Sequence, residues 1–392
     1  MKEPKIRFKG FQGEWNSSKY EEVFSLIGDT GHNVQKNEYC ERGSYPVVDQ
    51  SKEYIVGYTD KVMPIDGSKG LIIFGDHTRE IKYIDFPFCT GADGTRILKS
   101  EQSFDARFMY YVCHSLNIPN TGYNRHFKYI QEAIYHTPET IAEQQSIASF
   151  FQHLDSLIQS TTKKIESLKQ VKAASLQSMF PQEGETTPRV RFKGFEGEWE
   201  EVSLGKIGVT YSGLSGKTKD DFGIGDARFI TFLNVLTNAK IDTSILEPVN
   251  VNGGEHQNEV KKGDLLFNTS SETPEEVGMC AVMNEELENV YLNSFCFGFR
   301  VIDNNIDPTC VAYMMRSHIG RRIMSILAQG ATRYNLSKNS FCKAVLVLPK
   351  NIAEQRAIAS YFTTLDRQIT LQSQRLEKLK QIKAACLDNM FV

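Results

Sequence analysis

The sequence predicts an α+β fold in which two related α/β domains are separated by two long helices that pack along each other as a coiled coil. The stretch 141–180 recurs at 352–391, with 21 of 40 residues identical. A shorter box, 4–15, recurs at 188–199 with nine of twelve residues identical. The order box, variable domain, helix therefore occurs twice, which predicts a pseudo-twofold internal repeat.

The helix prediction comes from the spacing of apolar residues, which recur three or four positions apart on one face. Neither copy contains Gly or Pro. One narrow apolar stripe per helix is best buried by packing the two helices together as a coiled coil. The apolar positions are Ile147, Phe151, Leu154, Ile158, Ile165 and Leu168 in the first copy, and Ile358, Phe362, Leu365, Ile369, Leu376 and Leu379 in the second.

Within the variable domains, short β-branched and aromatic runs bounded by turn residues predict strands. Examples are 45–48, 54–58 and 70–74 in the first domain, and 228–233, 264–267 and 293–301 in the second. Both domains are then predicted to turn helical, at 105–116 and 308–327, before a polar loop and a last strand. Because those loops keep the offset of the helices, 121–124 against 332–335, we expect one shared fold.

The resulting domain plan has five parts. They are a first domain at 1–140 that includes the box 4–15, a first long helix at 141–180, a polar linker at 181–187, a second domain at 188–351 that includes the box 188–199, and a second long helix at 352–392.

Composition is that of an ordinary soluble protein, with 40% hydrophobic and 24% charged residues over 392 positions. No apolar run approaches the ~20 residues of a membrane span, and the first residues lack a signal-peptide core, so we expect a cytoplasmic protein without a membrane partner. The eight cysteines are scattered without ligand spacing. This predicts no metal site.

Local charge gives the best indication of a ligand, because the net charge of −3 gives none. The windows 309–350 and 106–131 contain no Asp or Glu but several basic residues interleaved with Tyr and Asn. Such surfaces suit phosphates and base edges, although any single residue could equally belong to a solvated helix face. The candidate DNA-binding residues are Arg96, Arg107, Asn124, Arg125, His126, Lys128, Asn268, Ser270, Arg316, Arg321, Arg322, Arg333, Tyr334, Asn335 and Lys338.

Within this set the sequence separates two roles. Arg321 and Arg322, on a predicted helix with no acid nearby, suit phosphate contact. Arg333, Tyr334 and Asn335, in a polar loop after Gly330, suit contact with base edges.

Polar residues shared by the two helix copies predict a partner surface, since we expect them to be largely exposed. The alternative is that they are identical only through descent from one ancestral copy. The candidates are Glu143, Gln144, Glu166, Lys169, Gln170 and Lys172 in the first helix, with Glu354, Gln355, Glu377, Lys380, Gln381 and Lys383 in the second.

No catalytic constellation is visible in the sequence. The segment 212–218 resembles the end of a phosphate-binding loop but has Tyr211 where the first glycine is required. An Asn-Pro-Pro-Tyr motif is absent, and we identify no nucleophile with a plausible base. We therefore predict a non-catalytic protein that binds no cofactor itself.

The architecture resembles the specificity subunit of type I restriction-modification systems. The resemblance rests on the repeated helix start Ile-Ala-Glu-Gln-x-x-Ile-Ala-Ser, the Leu-Asp pairs at 154–155 and 365–366, the box ending Gly-Glu-Trp, and the segment Gly263-Asp-Leu-Leu-Phe267, for which the first half shows no clear counterpart. It implies two target-recognition domains separated by two long helices packed as an antiparallel coiled coil.

The same resemblance implies a function and a set of partners. Each domain would read one half of a bipartite double-stranded DNA site, while the helices set the gap and dock two methyltransferase subunits and, through them, two restriction (motor-nuclease) subunits. S-adenosylmethionine, ATP and Mg²⁺ are expected in those partner subunits. The alternatives are a coiled-coil scaffold whose globular ends bind protein partners and a self-contained DNA-modifying enzyme, which the missing cofactor motifs disfavour.

Overall fold

The computed structural model describes residues 3–91, 93–330 and 332–392, which form two compact units. The first unit contains Met1–Lys163 and Ser373–Val392, and the second contains Lys164–Gln372. Each long helix therefore contributes one segment to each unit. Residues 1, 2, 92 and 331, which fall within the predicted domains 1–140 and 188–351, lie outside the described residues.

Small strands and short helices precede the first long helix. They are β1 (Asn16–Ser18), α1 (Tyr20–Val23), β2 (Phe24–Ile27), β3 (Asn33–Val34), β4 (Tyr45–Val48), β5 (Gly57–Thr59), β6 (Leu71–Gly75), β7 (Ile81–Ile84), β8 (Cys89–Gly91), β9 (Thr95–Ser100), α2 (Ala106–Ser115), α3 (Phe127–Glu132) and β10 (Tyr135–Thr137), followed by the long helix α4 (Ile141–Ser178).

The second half begins with a strand, a short helix and a strand and ends with a strand and a long helix, as the first does, but it contains additional short elements between them. Its elements are β11 (Glu200–Ser203), α5 (Leu204–Ile207), β12 (Gly208–Ser212), β13 (Phe222–Ile230), α6 (Phe232–Thr237), β14 (Glu247–Val249), β15 (Leu265–Asn268), β16 (Ser270–Ser271), β17 (Cys280–Val282), β18 (Val290–Leu292), β19 (Cys296–Val301), α7 (Pro308–Arg316), α8 (His318–Leu327), β20 (Tyr334–Asn335), α9 (Lys338–Cys342) and β21 (Val345–Leu348), followed by α10 (Ile352–Met390).

A four-stranded antiparallel sheet forms the centre of each unit. Its order is β2-β9-β6-β7 in the first unit and β12-β19-β15-β17 in the second. The strand β15 thus corresponds to β6, and each follows a glycine with a φ of +87°, at Gly70 and Gly263. The sequence-based view that the segment 263–267 has no counterpart in the first half is therefore wrong.

The correspondence is not visible in the sequence because the side chains at equivalent positions differ. In the second unit Asp264, only 1% exposed, accepts hydrogen bonds from Tyr211 at 2.7 Å and from Arg300 at 2.7 and 2.9 Å. Burial and the nearby carboxylate raise the pKa of the Tyr211 hydroxyl. The matching strand position in the first unit is Leu71, which packs in an apolar cluster with Ile27. One backbone position therefore carries an ion pair in one unit and a hydrophobic contact in the other.

Each unit has a second sheet, of four strands in the first unit and three in the second, that contains at least one parallel pair. Its order is β3-β8-β4-β5 in the first unit and β14-β13-β18 in the second. The two ends of each variable segment also pair, β1 with β10 and β11 with β21, both antiparallel. These pairings close each domain, so that its first and last strands lie side by side next to the start of a long helix.

The helix predicted over 308–327 is divided in two at Ser317. This residue has an extended backbone, with φ −71° and ψ 166°, and its hydroxyl accepts a hydrogen bond from the Gly320 amide. The turn brings α8 back against α7 so closely that a Cβ on Gly320 would lie 2.2 Å from the carbonyl oxygen of Met314. Ser317 therefore ends one helix and caps the next.

The two long helices run antiparallel within each unit, as predicted. In the first unit Asp155 pairs with Lys383, and Phe151 packs 5.6 Å from Phe391. In the second unit Lys172 pairs with Asp366, and Ser175 lies 2.9 Å from the hydroxyl of Tyr361. Among the described residues, no helix is long and apolar enough to cross a membrane.

The repeated boxes pack on these helices through their tryptophans. Trp15 makes edge contacts with Phe108 and Phe391, at centroid distances of 6.0 and 6.4 Å. In the second unit Trp199 contacts Phe180 at 6.3 Å, and Phe180 stacks on Phe362 at 5.9 Å. Each box thus binds the end of the helix copy that belongs to the other half of the sequence.

Candidate nucleic-acid interface

Glu143 and Glu354, predicted to be exposed on a partner surface, are buried instead, at 3% and 2% exposure. Arg7 of the first box binds both carboxylate oxygens of Glu143 at 2.7 and 2.8 Å. Arg191 of the second box binds Glu354 with the same two distances. The bond to each carboxylate raises the pKa of each guanidinium. The prediction of exposure was wrong because the partner of both acids lies within the chain.

The neighbouring glutamines, Gln144 and Gln355, are also buried, at 1% exposure each. The side-chain oxygen of Gln144 accepts the Asp105 amide at 2.8 Å, and that of Gln355 accepts the Asp307 amide at 2.8 Å. Those aspartates cap α2 and α7. Both glutamines therefore tie the start of a long helix to a domain helix, and the prediction that they form a partner surface was wrong.

Lys172 and Lys383 take part in a third repeated network. Asp155 accepts a hydrogen bond from Tyr111 at 2.8 Å and pairs with Lys383 at 2.6 Å. Asp366 accepts from Tyr313 at 2.8 Å and pairs with Lys172. Burial raises the pKa of both tyrosines. These lysines thus hold a domain helix to both long helices, so an intramolecular role accounts for their identity in the two copies.

The other predicted partner residues remain on the surface. Three positions in each copy are exposed and identical between copies, and the adjacent alanines at 173–174 and 384–385 are exposed as well. We call these residues the exposed helix repeat. They are Glu166, Lys169 and Gln170 with Ala173 and Ala174 in α4, and Glu377, Lys380 and Gln381 with Ala384 and Ala385 in α10.

Three loops meet at one end of the central sheet in each unit, and we call this place the three-loop junction. In the first unit the Asp76 amide donates to the Gly94 carbonyl and the Asp76 carbonyl accepts from the His126 amide, both at 2.8 Å. In the second unit the Thr269 amide donates to Phe295 and its carbonyl accepts from Leu336, both at 2.9 Å. The same backbone ladder thus recurs with different residues.

Two predicted DNA-binding residues contact Asp76 at the first junction. Asp76, 1% exposed, accepts hydrogen bonds from the Phe127 amide at 2.9 Å and from Arg96 at 3.3 Å. His126 is fully buried, with its ring nitrogens 3.0 Å from the Asp76 carbonyl and 3.2 Å from the Thr121 hydroxyl. His126 is therefore not available to DNA, and Arg96 is held by an internal carboxylate.

Exposed residues of the first junction lie on the loop before α3 and in its first turn. Tyr123 is 85% exposed, and its ring stacks on His77 with centroids 4.6 Å apart and planes 9° apart. Asn124, Arg125 and Lys128 are also exposed. Arg107 lies elsewhere, paired with Asp85 at 2.9 Å, and its guanidinium lies over the Tyr83 ring at 4.0 Å.

The second junction is extended by a short strand pair, in which Ser270 faces Asn335 and Ser271 faces Tyr334. Asn268, with no exposed surface, accepts the Met279 amide at 2.6 Å and donates to the Glu276 carbonyl at 2.9 Å. Asn268 therefore shapes the loop from within, and its prediction as a DNA contact was wrong. Ser270 is likewise buried, at 7% exposure.

Arg333 and Asn335 are exposed on the loop that ends the second junction, and Tyr334 is half-buried between them. Lys338, at the start of α9, donates to the hydroxyl of Ser212. Arg322 is exposed and pairs with Glu183 of the linker at 2.8 Å. Among these predicted residues, Arg333 and Asn335 are the exposed ones on this loop, where the Asn335 side-chain amide donates to the Arg333 carbonyl at 3.1 Å.

Arg316 and Arg321 are bound by carbonyl oxygens instead of facing solvent. The Arg316 guanidinium donates to Val235 at 2.8 Å and Asn238 at 2.6 Å, where it caps the end of α6, and to Cys280. Arg321 donates to Gly278 at 2.9 Å, and also to Val277 and Glu275. Burial lowers the pKa of both, that of Arg321 to about 10. The prediction that they are free for DNA was wrong. Backbone carbonyl oxygens accept their hydrogen bonds, although no Asp or Glu lies near them in the sequence.

Sequence reasoning missed several residues of this region. Arg7 and Arg191 could have been found, since they are basic residues repeated in the boxes as the glutamates are repeated in the helices. His77, Gln50 and Phe295 carry no such signal, because only the strand pairing brings them to the junctions. Among the described residues, no group of three or more His, Cys, Asp or Glu could hold a metal ion.

Comparison with known proteins gives the family. The family described as type I restriction modification DNA specificity domain matches residues 12–170 and 196–381. The chain is 30% identical over 149 residues to the type I restriction enzyme StySPI specificity subunit of Salmonella potsdam, a match that covers 38% of this chain and only 32% of that protein.

Two solved structures share the fold. The crystal structure of the type I restriction-modification system S subunit from M. genitalium superposes with a TM-score of 0.65 and 17% identity, covering 100% of this chain and 99% of that one. A structure from work on complex assembly and conformational transition of the type I R-M system gives 0.51 and 15%, over 96% and 97% of the two chains. Because the family match spans residues 12–170 and 196–381, more than half of the sequence, the chain belongs to the type I restriction-modification DNA specificity family.

Proposed function

We propose that this chain is the DNA-recognition subunit of a type I restriction-modification complex and that each of its two target-recognition domains, 1–140 and 188–351, reads one half of a bipartite site. One observation carries the proposal above the others. The two units repeat one backbone ladder and one set of box, helix and domain networks, yet they expose different side chains at the junction.

This combination suits a protein that recognises two different half-sites. The repeated networks attach the domains, and the exposed junction residues would contact the DNA. The repeated networks hold each domain on the long helices in the same way. The two junction loops share part of their chemistry, since Tyr123 and Asn124 match Tyr334 and Asn335 at the offset of the repeat. They differ where Arg333 stands opposite Gly122, and the neighbouring loop differs where the exposed Phe295 stands opposite Gly94. Planar amide and guanidinium groups can each form two hydrogen bonds with a base edge, which discriminates between bases by ~1–3 kcal/mol.

The exposed helix repeat supports the proposed partners. Its two copies present the same acid, lysine, amide and small residues, so one kind of subunit could bind twice. We assign this surface to two methyltransferase subunits, with restriction (motor-nuclease) subunits joining through them. S-adenosylmethionine, ATP and Mg²⁺ then belong to those subunits, and this chain contributes recognition without catalysis.

Sequencing of methylated bases in the cells that carry this chain tests the proposal. With the chain present we expect a bipartite methylated motif with an unspecified gap, and deletion of the chain should abolish it. Matched insertions of four residues near Ser160 and near Leu371 should lengthen the gap and leave both half-sites unchanged, since an α-helix rises ~1.5 Å per residue. Methylation that persists without the chain would contradict the proposal.

A protein-binding scaffold predicts a different outcome. Such a chain could be removed without loss of any methylated motif, and the purified complex would bind all DNA sequences alike. Membership of a DNA specificity family disfavours this reading.

A further inference from the structure

The two units place different residues at one equivalent position of the three-loop junction. Gly94 in the first unit and Phe295 in the second supply the carbonyl that accepts the amide of the central residue of the ladder, Asp76 or Thr269. A Cβ on Gly94 would lie 2.8 Å from the Gln50 amide nitrogen and 2.9 Å from the His77 ring. Polar side chains therefore occupy, in the first unit, the space next to this position.

In the second unit the same position presents an aromatic ring to solvent. Phe295 is 61% exposed, whereas the residues that follow it, Cys296 and Phe297, are 2% and 1% exposed. The turn is fixed, because the Phe295 amide donates to the side chain of Asn293 at 2.8 Å and the Cys296 amide donates to the Asn293 carbonyl at 3.0 Å. The ring is therefore displayed from a hydrogen-bonded turn just before β19, whose first four residues are buried.

Exposure of so large an apolar side chain is unfavourable in the free protein, and it gains free energy when covered. Tyr123 and Phe295 are both strongly exposed, and each lies at the junction of its own unit. In the first unit Tyr123 stacks on His77. Within the described part of the chain, no aromatic ring stacks on Phe295, and 61% of its surface is exposed.

The neighbours of Phe295 define what that ligand offers. The ladder from Phe295 through Thr269 to Leu336 leads directly to the loop with Arg333 and Asn335. Those residues suit the hydrogen-bonding atoms of bases. On the major-groove edge of DNA, the apolar group among the four bases is the C5-methyl of thymine.

We propose that Phe295 contacts the C5-methyl group of a thymine in the half-site read by the second domain. The inference rests on the proposed DNA-recognition function and adds a specificity-determining residue to it. In the first domain the equivalent position presents no apolar side chain, because Gly94 has none and Gln50 and His77 lie beside it. The two domains therefore differ in chemistry at this point of the ladder.

Deoxyuridine in place of thymine, which removes only the methyl group, provides the test. A tagged full-length chain is purified from its own cells with the subunits that accompany it, and its affinity is measured for duplexes in which each thymine of the second half-site is replaced in turn. We expect the affinity to fall roughly fourfold at one position, because burial of one CH₂ group contributes about that factor to an equilibrium constant. Phe295→Ala should remove that difference. Ile302→Ala, at a side chain of the same unit that is 62% exposed and off the ladder, should retain it.

Three results would overturn the inference. They are a second half-site without thymine, equal binding of thymine and deoxyuridine at every position, and a deoxyuridine penalty that Phe295→Ala leaves intact. In each of these cases specific binding of the natural duplex still supports the proposed function. Failure of the complex to prefer its own site over unrelated DNA would instead overturn the proposed function.

Discussion

Replacement of Arg321 by alanine separates a structural role from a DNA contact. The guanidinium joins α8 to the segment 275–278 through three carbonyl oxygens. That segment follows β16, which pairs with the loop of Arg333 and Asn335. Loss of the guanidinium should therefore loosen the second junction without removing a contact to a phosphate.

The expected magnitude follows from these bonds. A hydrogen bond to a charged group contributes about 1.5–3 kcal/mol, and an unsatisfied buried carbonyl costs about 1–3 kcal/mol. Because the bond to Glu275 is exposed while those to Val277 and Gly278 are partly buried, water can replace the first more readily. We expect a loss of about 2–3 kcal/mol in the free energy of unfolding of the second domain, or roughly 4–10 °C in Tm.

Two measurements check this account. Calorimetry should show the loss for Arg321→Ala, while Arg322→Ala, which breaks only an exposed pair with Glu183, should change stability by about 0–1 kcal/mol. The slope of log affinity against log salt should stay unchanged for Arg321→Ala. Each phosphate contact adds about 0.9 to that slope. A slope reduced by about one with unchanged stability would refute the structural role and restore Arg321 as a phosphate ligand.

Further predictions concern the base contacts, the boxes and the dependence on pH. Arg333→Ala should relax preference at one base pair of the second half-site by about 1–3 kcal/mol in a binding series over single-base variants; uniform loss over all variants would remove Arg333 from direct readout. Arg191→Ala leaves the buried Glu354 without its cation and should destabilise the second unit by about 3–5 kcal/mol in denaturant unfolding; a change below 1 kcal/mol would contradict the buried pair. Burial lowers the pKa of His114 to about 4 from an unfolded value of about 6.5. Stability from a neutral His114 is thus full above pH 6.5 and is lost as the pH falls toward 4, and His114→Gln should remove this loss in urea titrations.

The architecture could be predicted from the sequence because the internal repeat shows the two halves and the spacing of apolar residues shows the long helices. The helices Ile141–Ser178 and Ile352–Met390 begin where the repeat begins, and their apolar stripes required a packing partner. The division of the helix at Ser317 was missed, because the apolar residues continue on both sides of it. The turn is determined by the Ser317 cap and the close approach at Gly320, which are tertiary features.

The candidate site was predicted less well because the sequence shows which residues are charged or polar but not which groups hydrogen-bond to them. Glu143 and Gln144 looked like a shared surface, yet identical buried contacts preserve polar residues as effectively as a shared external partner does. Arg316 and Arg321 looked free since no acid is near them, but backbone carbonyls, which any residue provides, bind them. Phe295 could not be matched to Gly94 without the strand register, because insertions change the offset between the halves.

The most direct test of the central claim, that the two domains read separate half-sites, is replacement of residues 16–138 by the same region of a relative with a different specificity. The box and both long helices keep their own sequence, so the networks of Arg7, Glu143 and Asp155 supply the same attachment points. Sequencing of methylated bases in cells with the chimera should show one half-site changed, with the other half-site and the gap preserved. A change in both half-sites, or in neither, would contradict the account.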